Sequence, residues 1–310
     1  MIHVVLFTVG QWGIRVLARE GETTRRALID EGALDLSLKV GRDGNWLLLP
    51  LLDWREGAEQ CQFEQSPGRV VLPRHELVGG IAIMQERDLV GAQLILASRP
   101  SLHTVVYAIG EVSGEYRTRE FDVLTGTPTT RTEVIEYGHR FYVDLTAAYF
   151  SARLSSERQR ILQQTGRTEA VLDMFAGVGP FAITLAARAL FIVACDLNPQ
   201  AVELMLENIA QSRIRNVLPV LADARRLAGI FPWKFDRIVM NLPLSGTEFL
   251  PEAFRLCKAG GMIHFYSLVA AEGEHRECIS ELGGEVLAER VVRSYSPGRW
   301  HAVYDVRVGN

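Results

Sequence analysis

The clearest periodicity lies in the second half of the chain. From about residue 151, short apolar runs at 170–173, 190–196, 217–221, 237–241 and 262–267 alternate with segments of helical spacing. Strands that alternate with helices predict a parallel sheet covered on both faces. Two further apolar runs, 285–293 and 301–308, flank a Ser296-Pro297-Gly298 turn and read as a terminal antiparallel hairpin. The expected domain is α/β and doubly wound, spanning residues 149–310.

The first half is patterned differently. Residues 13–17, 22–31 and 46–51 read as strand, helix and strand, a small α/β unit. Composition turns polar over 55–68, where Pro67 and Gly68 suggest a linker. The extended pieces 69–72, 80–84, 104–107, 121–124 and 139–143 then suggest one mixed sheet, with 87–99 as a covering helix. The expected domains are therefore a small first domain over 1–67, a middle α+β domain over 68–148, and the α/β domain over 149–310.

Composition narrows the classes. With 310 residues and 48% apolar content, the chain can bury substantial cores. Its longest apolar runs fall well short of the roughly 20 residues a membrane helix needs. The start carries no secretory pattern, so a cytoplasmic protein without membrane association is expected. Cys61, Cys195, Cys257 and Cys278 lack metal or disulfide spacing and are expected to be reduced, buried thiols. No metal cluster is apparent. The net charge of −4 speaks mildly against a nucleic-acid partner. Arginines crowd the middle of the chain, from Arg117 and Arg119 to Arg158 and Arg160, but acidic residues are interleaved, so a solvated mixed surface competes with an anion-binding patch.

Candidate chemistry gathers at the predicted strand ends. Asp173-Met174-Phe175-Ala176-Gly177-Val178-Gly179-Pro180 follows the first strand of the α/β domain. Gly177 and Gly179 permit a tight turn and close approach of a ligand, and Pro180 suits a first helical turn. Asp196 ends the second strand, where a carboxylate can accept both hydroxyls of a ribose. Asp223 follows the third, within reach of an adenine amine, and Asn241-Leu242-Pro243 follows the fourth. Each of these could also be an ordinary helix cap or turn former. A glycine turn with a distant acid serves NAD as well as S-adenosylmethionine. Here Phe181 and Ala182 follow Gly179-Pro180, so the G-x-G-x-x-G pattern is absent, which favours S-adenosylmethionine.

Seven strands ending in a hairpin, together with these acids, are similar to the class I (Rossmann-like) methyltransferase sheet. Four stretches carry a more specific likeness: Ser113-Gly114-Glu115-Tyr116-Arg117, residues 149–158, the turn 173–181, and Asn241-Leu242-Pro243. With them the chain resembles, over nearly its whole length, the archaeal and eukaryotic tRNA (guanine-N(1)-)-methyltransferases, which act on the guanosine 3′ of the anticodon. Residues 23–28 and 46–50 resemble that family's first domain, which contacts the outer corner of the tRNA. Ala152 departs from the proline often found there, leaving Arg153 and Glu157 in register.

The resemblance implies roles. Glu157 would be the general base, Arg117 would stabilise the guanine carbonyl oxygen, and Asn241 would grip the target. The cofactor would meet Arg158, Asp173, Phe175, Gly177, Gly179, Asp196, Leu197, Asp223, Ala224 and Asn241; the target base would meet Tyr149, Arg153, Asn198 and Pro243. The chemistry is consistent: guanine N(1) carries a proton at neutral pH and cannot attack a sulfonium methyl until that proton leaves. Simpler roles compete, since Glu157 could pair with Arg153 on one helix face and Arg117 could face solvent. His264 and His301 lie on predicted strands and read as packed or capped. tRNA is the expected partner, with no protein partner implied and a monomer expected. Two alternatives remain: a wyosine-pathway enzyme that transfers an aminocarboxypropyl group or methylates a tricyclic guanine, and a non-catalytic RNA-binding module.

Overall fold

A computed structural model describes residues 8–64, 66, 72–114, 116 and 118–309. The chain forms two compact units, residues 1–72 and 73–310. In the first, β1 (Thr8–Leu17), α1 (Gly21–Asp30), β2 (Gly41–Asp43), β3 (Trp46–Pro50) and β4 (Ala58–Glu64) build an antiparallel sheet in the order β2-β3-β1-β4. Its core is small: Leu28 of α1 packs with Leu34, Leu49 and Leu51, flanked by Trp12, Ile14 and Val16 of β1. The polar stretch 55–68 is not wholly a linker, because β4 pairs with β1 from Ala58 to Glu64. As an edge strand it buries only Phe63, so its sequence reads as solvated. Pro67 and Gly68 lie outside the described residues.

The second unit opens with β5 (His75–Val78), β6 (Ile81–Met84), α2 (Leu89–Ser98), β7 (Thr104–Ser113) and β8 (Thr118–Gly126). They form a mixed sheet, β5-β6-β7-β8, parallel only between β6 and β7, which α2 connects. Asp88 caps α2 by accepting from the Gly91 N–H at 2.9 Å. Of the strand expected at 69–72, residues 69–71 lie outside the described residues and Leu72 is in no strand; the described sheet begins at His75. Residues 139–143 are also corrected. They belong to β10 (His139–Asp144), which pairs only with β9 (Arg131–Glu136) in a separate hairpin.

The rest alternates as expected: α3 (Ser155–Gln164), β11 (Ala170–Asp173), α4 (Pro180–Leu185), β12 (Phe191–Asp196), α5 (Pro199–Gln211), β13 (Val217–Leu221), α6 (Leu227–Ile230), β14 (Phe235–Asn241), α7 (Leu250–Leu256), β15 (Cys257–Val269), α8 (Arg276–Glu281), β16 (Gly284–Ser296) and β17 (Arg299–Val308). The seven-stranded sheet runs β13-β12-β11-β14-β15-β17-β16 and is parallel through β15. β17 inserts antiparallel between β15 and β16.

Successive residues of the central strands face opposite ways. Val171, Ile192, Ala194 and Val239 join one core with residues of α3, α4 and α5. Leu172, Val193, Cys195, Ile238 and Met240 join the other with α6, α7 and α8. The first core also takes in Val78, Ile81, Val106, Phe141 and Val143, so segments 73–148 and 149–309 share one apolar interior. Chain order runs outward from β11 to β13 and then returns to β14 on the other side of β11. That reversal opens a crevice at the carboxyl ends of β11 and β14, where such sheets hold ligands.

Among the described residues no helix is long and apolar enough to cross a membrane. All four cysteines are unpaired; Cys195 and Cys257 are buried, whereas Cys61 and Cys278 are only partly so, which corrects the expectation that all are buried.

Candidate active site

At the carboxyl ends of β11 to β14 lies a cleft of about 460 Å³. The turn after β11 needs its glycines: Gly177 and Gly179 have φ of 55° and 87°, and a Cβ on Gly179 would stand 2.9 Å from Met205 Cγ. Pro180 then starts α4 with no N–H to satisfy. The turn is braced from α5 by buried Asn208, which donates to the Val178 carbonyl at 3.1 Å and exchanges hydrogen bonds with the Tyr142 backbone. A lone polar residue on an apolar helix face was the only sequence signal for it.

Asp173 and Gly179 support the cleft from behind, while Phe175 and Gly177 line it. Asp173 is fully buried and neither carboxylate oxygen has a hydrogen-bond partner of good geometry among the described residues. Burial pushes its pKa up to about 7, against the pull of the nearby Phe175 and Ala182 N–H groups.

The acids at the next strand ends are oriented by backbone. Asp196 accepts from the Gly177 N–H at 2.7 Å and the Asn198 N–H at 2.9 Å, one on each oxygen, which leaves further lone pairs toward the cleft. Burial raises its pKa while these bonds lower it. Leu197 and Asn198 line the same wall. Asn198 is buried and internally committed, donating to Ala147 O at 2.7 Å and capping α5 through Gln200 N at 3.0 Å. Asp223 accepts from Arg225 N at 2.9 Å and pairs with its guanidinium at 3.1 Å, so it is a cap and a cleft residue together, next to Ala224. Asn241 and Pro243 close the floor, and the buried Asn241 Oδ1 has no partner among the described residues.

The opposite wall comes from α3 and the segment before it. Tyr149 lines the cleft, half exposed. Arg158 lines it too, although its side chain is only 2% exposed; Nε and Nη2 meet Glu136 of β9 at 2.7–3.0 Å, and Phe150 and Phe181 flank the guanidinium. Hydrogen bonds among the described residues do not use its Nη1, the edge left for a ligand. Arg153 is not in the cleft and does not pair with Glu157: it is half exposed and meets Glu76 at 2.9 Å. Glu157 stands one layer behind the wall. It accepts from Arg160 at 2.8–3.1 Å and from the Tyr266 hydroxyl at 3.0 Å. Tyr266 in turn packs on Phe181 and His301, which do line the cleft. Arg117 lies outside the described residues; its neighbours Gly114 and Tyr116 line the cleft mouth.

Sequence reasoning missed what the hairpin strands contribute. Arg293 and Tyr295 of β16 and His301 of β17 reach the cleft. Register shifts at Val291/Arg293 and Ser294/Ser296 re-aim this stretch. The Arg293 Nε is buried without a partner among the described residues. His301 is thus a wall residue as well as a packed one. His264 is packed as expected, buried between Asp305 and Arg237.

The donor set fits S-adenosylmethionine. Asp196 and Asp223 line the cleft as acceptors for hydroxyls and an amine, the unpartnered Asn241 Oδ1 lies at its floor with Asp173 behind, and the glycine turn leaves backbone room for the ligand.

Comparison with known proteins gives the same assignment. The TRM5/TYW2 methyltransferase domain matches residues 132–286, and the tRNA methyltransferase 5 N-terminal domain matches residues 13–59. The chain is 38% identical to the tRNA (guanine(37)-N(1))-methyltransferase Trm5b of Pyrococcus abyssi, over 95% of this chain and 98% of that protein. The crystal structure of that Trm5b superposes with a TM-score of 0.77 at 36% identity, covering 97% of this chain and 100% of that one. The complex of aTrm5 with tRNALeu follows at 0.74 and 29%, covering 96% and 99%. Methanocaldococcus jannaschii TYW2 in complex with AdoMet reaches 0.58 and 26%, covering 76% of this chain and 98% of that one.

Proposed function

The chain belongs to the TRM5/TYW2 methyltransferase family, and from that premise we propose that it transfers a methyl group to N(1) of the guanosine 3′ of the anticodon in tRNA. The observation that carries this reading is the cleft itself. A glycine turn, a ribose-facing acid and the Asn241-Leu242-Pro243 floor meet in one space wide enough for a nucleoside beside a planar base.

S-adenosylmethionine supplies the methyl group as a sulfonium substituent. Gly177 would admit its amino-acid end, with Gly179 shaping the turn from behind, Asp196 would accept its ribose hydroxyls, and Asp223 would accept its adenine amine. Asn241 offers an unpaired acceptor to the target base, with Pro243 and Tyr149 as flat walls. Glu157, which stands one layer behind the cleft wall here, would turn from Arg160 and Tyr266 toward the cleft to take the N(1) proton, and the negative charge that spreads to the guanine carbonyl oxygen would meet Arg117. The first unit, in which the N-terminal family match falls, contacts the tRNA. We further propose three parts in the division 1–67, 68–148 and 149–310, and a cytoplasmic, monomeric enzyme.

The test is direct. Unmodified tRNA transcript is incubated with methyl-labelled cofactor, and the labelled nucleoside is identified by mass spectrometry. 1-Methylguanosine is the expected product. An unlabelled nucleoside carrying an aminocarboxypropyl group, with the label left on methylthioadenosine, or no reaction at all, would overturn the proposal. Glu157→Gln should lower the single-turnover rate by about 10²–10⁴ and remove the acid limb of the pH–rate profile, with tRNA and cofactor affinities little changed.

A further inference from the structure

Glu157 is one end of a chain of partly and fully buried charges that reaches across the sheet. Its immediate partner, Arg160, is shared: Nε and Nη2 meet Glu157, and Nη1 and Nη2 meet Asp305 of β17 at 2.7 and 3.2 Å. Asp305 accepts also from His264 Nδ1 at 2.7 Å, and the half-exposed Arg290 stands 3.6 Å away. His264 Nε2 lies 2.6 Å from Arg237 Nη1. A guanidinium only donates, so Nε2 is the acceptor, Nδ1 carries the proton, and the imidazole is neutral. Arg237 is itself balanced by Glu169 at 2.7 Å. Tyr266 donates to Glu157 and adds no charge.

The partly buried trio of Glu157, Arg160 and Asp305 therefore holds two carboxylates on one shared guanidinium, with the half-exposed Arg290 beside Asp305 alone. A simple Glu157–Arg160 pair would be a poor base, because protonating the carboxylate would strand a partly buried cation. With Asp305 on the same guanidinium, that cation stays paired whichever form Glu157 takes.

We infer that Asp305 is a positioning residue for the reaction: by sharing Arg160 it lets Glu157 accept a proton without orphaning the guanidinium, and so directs that proton to Glu157. The inference rests on the reading of Glu157 as the base. The step balances. The N(1)–H bond of guanine breaks as an O–H bond forms on Glu157, the freed pair forms the N–CH3 bond, and the methyl–sulfur pair stays on sulfur as a neutral thioether. Asp305 is not the acceptor. Burial, the largest influence, raises its pKa, but the His264 N–H and Arg160 together bring it down to about 2.

Two variants should move the acid limb of the single-turnover pH profile in opposite directions. Asp305→Asn removes the second carboxylate and leaves Glu157 closed on Arg160. The limb should move to lower pH by about one unit, with a plateau roughly tenfold slower as the base weakens. Arg160→Gln removes the cation, and the limb should move to higher pH, while Arg160→Lys keeps the charge and should leave the limb near its wild-type position. Melting temperatures alone would fall for a merely structural role, with the limb unmoved. If Asp305→Asn does not fold, the contrast between Arg160→Gln and Arg160→Lys decides. An unmoved limb in Asp305→Asn and Arg160→Gln, or movement of both the same way, overturns the inference, provided Glu157→Gln has abolished the limb. A limb that persists in Glu157→Gln overturns the base assignment itself.

Discussion

Asp173 makes the ligand cleft and the stability of the fold oppose each other. In the folded chain its carboxyl is sealed behind the glycine turn, and burial pushes its pKa from the ordinary 3.8 to about 7. Below about pH 4 both folded and unfolded chains hold the proton, and the contribution of this group to stability is complete. Between there and about pH 7 the unfolded chain releases the proton while the folded chain retains it, so stability falls as pH rises. At about 1.4 kcal/mol per pH unit, the loss approaches roughly 4 kcal/mol once the folded carboxyl ionises. Asp173→Asn stays neutral throughout and should escape this fall. Urea unfolding of both proteins across that range should show their difference growing with pH in favour of the variant. A difference independent of pH would refute the burial argument. Saturating S-adenosylmethionine should then narrow the gap, because its sulfonium and ammonium groups favour the carboxylate of the wild type alone. The variant should bind this cofactor more weakly by about 1–3 kcal/mol, measured by calorimetry.

Other consequences follow from single contacts. Glu136→Ala leaves the buried Arg158 guanidinium without its carboxylate and should destabilise the protein by about 3–5 kcal/mol in denaturant titrations; a loss below about 1 kcal/mol would mean that solvent reaches the pair. Asp196→Ala should weaken cofactor binding by about 1–3 kcal/mol in calorimetry, and unchanged affinity in a folded variant would remove Asp196 from the site. Arg293→Ala removes a cleft guanidinium with an unpartnered N–H; it should raise KM for tRNA several-fold with kcat little changed, and an unaltered KM would make Arg293 a strand residue only.

The gathering of the strand-end residues at one cleft was legible because their signals are local. The glycine turn, Asp196, Asp223 and Asn241 each follow a strand that periodicity predicts, and a parallel sheet places all such ends along one edge. The middle of the chain was less legible. β9 carries Thr132 and Val134 inward between Arg131, Glu133 and the exposed Ile135, a pattern too short to stand out from a loop. β4 was hidden by its solvated faces. What no local pattern could supply was the pairing of charges. Helical spacing offered Arg153 as an alternative partner for Glu157, yet Arg153 turns to Glu76 and Glu157 to Arg160 three residues on. Asp305, near the far end of the chain, joins them only because β17 inserts beside β15. The bulges that bring Arg293 to the cleft are likewise properties of strand register, not of composition.

Adjacent residues 157 and 158 are tied to opposite sides: Glu157 to the network of β15 and β17, Arg158 to β9 of the hairpin. Consecutive positions on a helix point about 100° apart. Any roll of α3 about its axis therefore breaks one attachment while straining the other. The helix behaves as a clamped shaft rather than a bearing, and its orientation is settled when the chain folds. Each turnover then begins with this wall already in register, and the ordering entropy that a mobile helix would lose with every substrate is lost once, at folding.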